Sequence, residues 1–257
     1  AEDLNIAGTA ISSGSAATTI TDSDGDGIGL GDTASTNGLD VSTAELQKIT
    51  ATGLEFVSAG NIDVDNLVAA NSATISGTLT LDSAADINVA NNAITITNAL
   101  ALEADNQVDI DVAITTNAGN LTIDGDADNA ADSADDIDIA TGLTLASGGS
   151  LTLDATTGGI AGVVLTLNAK EGITINDALT TGGTLTVDAD TDGDDNTGTF
   201  TTLAAVIAGN NAISITANDI ALGGTLSSGS TATTITDSDN TGVGLGDTAV
   251  TNGLNIT

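Results

Sequence analysis

Short apolar–polar–apolar triplets recur along the chain, separated by Gly, Asn, Asp, Ser and Thr. Leu79-Thr80-Leu81, Leu121-Thr122-Ile123, Leu143-Thr144-Leu145, Leu165-Thr166-Leu167 and Leu185-Thr186-Val187 share one form, and Leu100-Ala101-Leu102 belongs with them. An apolar side chain on every second residue is the period of a strand with one buried face. Ile, Val, Leu and Thr suit strands, and Gly, Asn and Asp suit the turns between them. The pattern therefore predicts many very short strands and almost no helix.

The triplets start at 79, 100, 121, 143, 165 and 185, and Val206 and Leu226 continue the series, so the steps run from 20 to 22 residues. A second track passes through Ile94, Ile114, Ile137, Ile173 and Ile213, and Ile20, Val41 and Ile62 are also 21 apart. A chain that advances one rung every ~21 residues and stacks like on like is a β-solenoid. The fold expected is all-β, a parallel β-helix of about 21 residues per rung, continuous over residues 1–257. A string of β-sandwiches is the rival, but it calls for longer strands and a large buried aromatic such as Trp, and the chain has no Trp.

A longer repeat overlies the short one. Residues 11–42 and 226–257 match at 23 of 32 positions with an offset of 215. At ~21 residues per rung this offset is about ten rungs, or roughly 48 Å of axis at the usual strand spacing. Within 42–60 lies one departure from the pattern. Ser42 and Glu45 have capping-box spacing, which fits a short helix or protrusion as well as an ordinary rung.

Composition narrows the chemistry. Of 257 residues, 36 are Asp or Glu and 2 are Lys or Arg, for a net charge of −34, and there is no Pro, Cys, His, Met, Trp or Tyr. Hydrophobic content of 40% sets the chain apart from disordered acidic tails. Absence of Pro suits a stack in which each rung needs its N–H groups. Two cations cannot follow a phosphate backbone, so nucleic-acid binding is not expected. No run approaches the ~20 apolar residues of a spanning helix, so membrane insertion is not expected either. No basic, apolar leader opens the chain.

The sharpest acidic motif is Asp22-Ser23-Asp24-Gly25-Asp26-Gly27-Ile28, with Asp32 beyond it. It resembles the calcium loops of EF-hand, dockerin and thrombospondin type 3 proteins. That resemblance implies Asp22, Asp24 and Asp26 as ligands with the Ile28 carbonyl, and Asp32 beside the position of the bidentate Glu. Thr33 stands at that Glu position, and Asp26 becomes Thr241 in the second copy. Asp124, Asp126 and Asp128, and then Asp190, Asp192 and Asp194, are weaker candidates of the same kind. Ca2+ is the one cofactor this pattern suggests, and a solvated acidic turn is the alternative at each place.

No catalytic residue is assigned. Glycoside-cleaving β-helix enzymes use carboxylate pairs, but they also need the cations and aromatic platforms that this chain lacks. Thr-x-Thr pairs at 19/21, 78/80, 95/97, 184/186 and 234/236 resemble the Thr ladders of ice-binding solenoids, but in the sequence they do not recur at every rung.

The units at 77–97, 119–131, 148–160 and 182–194 resemble the β-strand-repeat surface proteins of bacteria, including filamentous-haemagglutinin-like adhesins. The resemblance covers roughly residues 70–230 and carries over no functional residue. It implies a right-handed coil, an extracellular cell-surface location, and a structural rod whose partner is itself, stacked head to tail or repeated in tandem. The alternative is a calcium-dependent adhesin holding a glycan or receptor, for which Phe56 is the candidate exposed aromatic.

Overall fold

A computed structural model describes the chain except residues 1–3, 9, 33–37, 132–134, 194–196, 247–253 and 257. Its strands fall into three long stacks. The first face has eleven strands, the second ten and the third seven, with a separate two-stranded pair. From Thr78 to Asp237 the chain visits the faces in constant order. Thr78–Ser83 lies on the first, Asp86–Val89 on the second and Ile94–Ile96 on the third, and Ala99–Ala104 returns to the first beside Thr78–Ser83. Pairing along the stacks is parallel, as in the ladders that join Leu79 to Leu100 and Leu100 to Leu121. This is a parallel β-helix.

The two-stranded pair, Ile11–Ser12 with Ile49–Thr50, begins the third face. Ala51 bridges Ile75, and Asn98 Nδ2 donates to the Ile75 carbonyl at 2.7 Å, which links that pair to the strands that follow.

Each strand turns alternate side chains inward, so the interior consists of apolar columns. Leu54, Leu79, Leu100, Leu121, Leu151, Ile173, Phe200 and Ile220 form one on the first face, all buried. Burial of each such side chain contributes about 1.5–3 kcal/mol. Both aromatics are inside: Phe56 follows the same logic opposite Leu81, and neither it nor Phe200 is accessible. Phe56 is thus a core residue rather than the exposed recognition aromatic expected of an adhesin.

Small hydroxyls close the corners. Ser83 Oγ accepts from Ala85 N–H at 3.1 Å and donates to the Gly60 or Asp86 carbonyl. Ser147 repeats the device with Gly149 N–H and the Ser150 carbonyl. A buried turn thereby keeps its backbone groups satisfied, which it must in an apolar interior. The capping box is formed: Glu45 N–H donates to Ser42 Oγ, Ser42 N–H donates to Glu45 Oε2, and Thr43–Leu46 is a one-turn helix. Gly53–Ser58 beyond it is a first-face strand.

The rung length is less regular than the sequence spacing predicts. Along the first face the pairing passes from 54 to 79, 100, 121, 151, 173, 200 and 220, so turns of 20–22 residues alternate with turns of 25–30. The regularly spaced triplets also change face. Those at 79, 100 and 121 lie on the first, those at 143, 165 and 185 on the third, and Val206 and Leu226 on the second. The longer interval between Leu121–Asp124 and Asp136–Ile139 shifts the phase, and an apolar–Thr–apolar triplet serves equally well on any face.

The two copies of the long repeat share one local structure on different faces. Residues 14, 25, 27 and 31 have positive φ, and so do 229, 240, 242 and 246. Ile28–Gly31 pairs Leu39–Ser42 with an offset of 11 residues, and Val243–Leu245 pairs Leu254–Ile256 with the same offset. Yet Ala17–Thr21 is on the first face and its counterpart Thr233–Asp237 is on the third. Eight turns separate Ala17–Thr21 from Asp219–Leu222, and two further faces lead to Thr233–Asp237. The 215-residue offset therefore spans eight and two-thirds turns rather than ten, which is about 42 Å of axis.

Candidate functional site

The acidic loops act first as turn staples. Asp22 is buried, and its Oδ2 accepts from Gly27 N–H at 3.1 Å and Ser58 Oγ at 3.2 Å. Burial alone would raise its carboxyl pKa, but hydrogen bonds from Asp24, Gly27 and Ser58 outweigh that and hold it below its ordinary value. Asp237 makes the same staple, accepting from Gly242 N–H at 2.7 Å. Asp24 and Asp26 are exposed while Asp22 is buried and hydrogen-bonded to Asp24, and the three are not grouped so as to hold a metal ion. Ile28 belongs to a strand paired on both sides, and Asp32 accepts from Asn66 Nδ2.

Asp124 and Asp188 each accept an N–H two residues on, from Asp126 and Asp190. Asp126 and Asp190 turn inward. Asp126 Oδ2 accepts from Thr157 N–H at 2.6 Å, and Asp190 accepts from Gly193 N–H and Ser238 Oγ. Asp128 is exposed, Asp192 lies 3.9 Å from Lys170 Nζ, and Asp194 is outside the described residues. Among the described residues no three carboxylates are grouped so as to hold a metal ion. The Asp spacing places one Asp outside, where it caps the backbone, and the next inside, where Asp126 Oδ2 is hydrogen-bonded and its Oδ1 is buried without a partner.

What the spacing did not reveal is a column of carboxylates across the rungs. Asp82, Glu103, Asp124 and Asp154 stand opposite one another on four successive first-face strands. Asn176 Nδ2 continues the line, donating to Asp154 Oδ2 at 2.6 Å. Neighbouring strands lie about 4.8 Å apart, so like charges face each other directly. Partial burial raises the Glu103 carboxyl pKa, and the charges of Asp82, Asp124 and Glu55 add to the effect. Burial also raises Asp82, reinforced by Glu55, and Asp124, reinforced by Asp154, Asp126 and Asp177. Asp177, beside Asp154, is raised for the same reasons.

Beside this column runs a Thr column: Thr122, Thr152, Thr174 and Thr201, one to a rung. On the third face Thr144, Thr166, Thr186, Ser214 and Thr234 form another. Hydroxyls therefore do recur rung after rung, although unequal turn lengths conceal this in the sequence. The recurring Leu-Thr-Leu/Ile-Asp unit at 79, 121 and 151 was the available signal for both columns.

No family model matches this chain, and no curated protein or solved structure matches it either. Among the described residues no helix is long and apolar enough to cross a membrane.

Proposed function

We propose that this chain is a structural protein, a subunit or segment of an extracellular cell-surface filament, stalk or surface layer made of stacked β-solenoid rungs. The observation that carries this reading is the recurrence of one 32-residue segment near both ends of the rod, folded with the same left-handed positions and the same 11-residue strand offset. A segment that recurs along the axis with the same local fold suits an axially propagating assembly, in which a contact that does not close on itself generates a fibre. Imaging the purified chain across salt concentrations tests the proposal. Filaments or end-to-end rods support it, and single short particles under every condition count against it.

A second reading is an adhesin, for which the half-buried acidic column of Asp82, Glu103, Asp124 and Asp154 on the first face is the surface that would meet a partner. It requires that cell or glycan binding be lost when these four are replaced by Asn or Gln while the fold is kept.

A further inference from the structure

The two copies of the long repeat have different neighbours, and each shows what the other lacks. In the first copy, Ile28–Gly31 is covered on its C-terminal side by Ile62–Asp65, with Ile28 opposite Ile62 and Leu30 opposite Val64. Ala17–Thr21 is likewise covered by Gly53–Ser58, and Ile11–Ser12 by Ile49–Thr50. In the second copy no strand among the described residues covers the corresponding edges. Val243–Leu245 is the last strand of the first face, Thr233–Asp237 the last of the third and Leu226–Ser227 the last of the second.

The open edge is apolar. Ile28 and Leu30 are fully buried, whereas their counterparts Val243 and Leu245 are 48% and 68% exposed. At Gly31 an added Cβ would stand 1.8 Å from the Asp65 carbonyl oxygen, while at its counterpart Gly246 nothing lies within 4 Å. Asp22 Oδ2 accepts the Ser58 hydroxyl from the covering rung as well as Gly27 N–H, whereas Asp237 Oδ2 accepts from Gly242 N–H and no described rung covers it to supply such a hydroxyl. Backbone, apolar side chains and a carboxylate thus share one vacancy.

We propose that residues 226–245 are the seat of a second copy of this chain, whose own residues 11–31 yield their place so that its residues 49–65 lie on 226–245 in the register that 49–65 here hold with 11–31. This rests on the filament reading above and specifies its joint. Val243 would stand opposite Ile62 of the second copy, Leu245 opposite its Val64, and Thr234 opposite its Glu55. The other side of the segment is already in place: Leu254–Ile256 pairs Asp219–Leu222 through Ile256 and Ile220. A complete joint is the shared segment between a 206–222 rung and a 49–65 rung, and this chain displays both halves. Because the copies sit one face apart, each added copy turns by one face and advances about 42 Å, and three copies restore the orientation.

Direct stacking of 226–257 on 11–42 of another molecule is a different geometry. It would place Thr234 opposite Thr19, and nothing in the chain shows this segment lying on itself.

The test is a tandem protein in which Thr257 of the full chain is followed by residues 43–257 of a second copy, since Thr257 holds the place of Ser42 in the repeat. The chain has no cysteine, so cysteine pairs report cleanly. Thr19→Cys with Glu55→Cys within the first copy reads the ladder already present, where Thr19 Oγ1 donates to Glu55 Oε2. Thr234→Cys with Glu55→Cys of the second copy reads the joint. The proposal expects both pairs to cross-link equally well, and a single unbroken rod about 42 Å longer than the single chain by cryo-electron microscopy. Cross-linking of the first pair only, with two rods hinged at the junction, overturns it. That outcome leaves the filament reading standing or falling on images of the single chain.

Discussion

Leu30 and Leu245 hold the same place in two copies of one repeat, yet Leu30 is fully buried and Leu245 is 68% exposed. The difference lies in the neighbouring rung, because Val64 faces Leu30 and no strand among the described residues covers Leu245. Replacement by Ala should therefore separate the two. Leu30→Ala should cost about 2–5 kcal/mol, the range for truncating a buried leucine. Leu245→Ala should be close to neutral in the single chain. Urea denaturation of both variants checks this, and equal losses would contradict the asymmetry between the ends.

Phe56 lies inside the first-face column opposite Leu81. Phe56→Ala should destabilise the coil by about 3–5 kcal/mol. Any loss of binding in that variant should follow loss of fold, as read by circular dichroism. A stable Phe56→Ala protein defective only in adhesion would show that the aromatic serves recognition.

The carboxylate column sets an unusual pH dependence. Asp82, Glu103, Asp124 and Asp177 have raised folded pKa values, so the folded state holds protons more tightly than the unfolded chain. Stability then falls as pH rises from the unfolded values, 3.8 for Asp and 4.5 for Glu, through the raised folded ones. Asp22 and Glu45 act in the opposite sense, because their lowered values favour the fold above the unfolded pKa. With more raised groups than lowered ones, melting temperature should increase between neutral pH and mild acid. Glu103→Gln should raise it at neutral pH and change it little where the carboxyls are protonated. A Glu103→Gln protein that melts lower at neutral pH would refute the repulsion.

The acidic loops predict a contrast within one motif. Asp22→Asn weakens a buried acceptor of two hydrogen bonds and should lower stability measurably, by about 1–3 kcal/mol. Asp24→Asn and Asp26→Asn alter exposed groups and should fall within about 0.5 kcal/mol of the parent. Thermal denaturation in calcium and in magnesium at matched ionic strength extends the test. Equal effects are expected if divalent ions only screen charge. A calcium-specific gain abolished by Asp24→Asn would instead establish a metal loop.

The fold was legible because a solenoid needs only short alternating strands and turns, and triplets such as Leu79-Thr80-Leu81 state that alternation locally. Which face a triplet occupies was not legible. Leu121 and Leu143 are 22 apart, like true neighbours, but Leu121 pairs Leu151 and Leu143 pairs Leu165. The length of loop between them decides the face, and loop residues carry no periodic signal. The acidic runs were legible as acidic turns. Their division into capping and buried carboxylates was not, because it depends on which side of the coil wall each Asp faces. The column from Asp82 to Asp154 joins residues of different rungs and emerges only once the register is fixed.

The most direct measurement is cryo-electron microscopy of the native assembly with its axial parameters determined. A strand spacing of about 4.8 Å with a subunit rise near 42 Å and a turn of one face per copy is the predicted result. Isolated particles one chain long, or a filament whose strands run along its axis, would contradict the account.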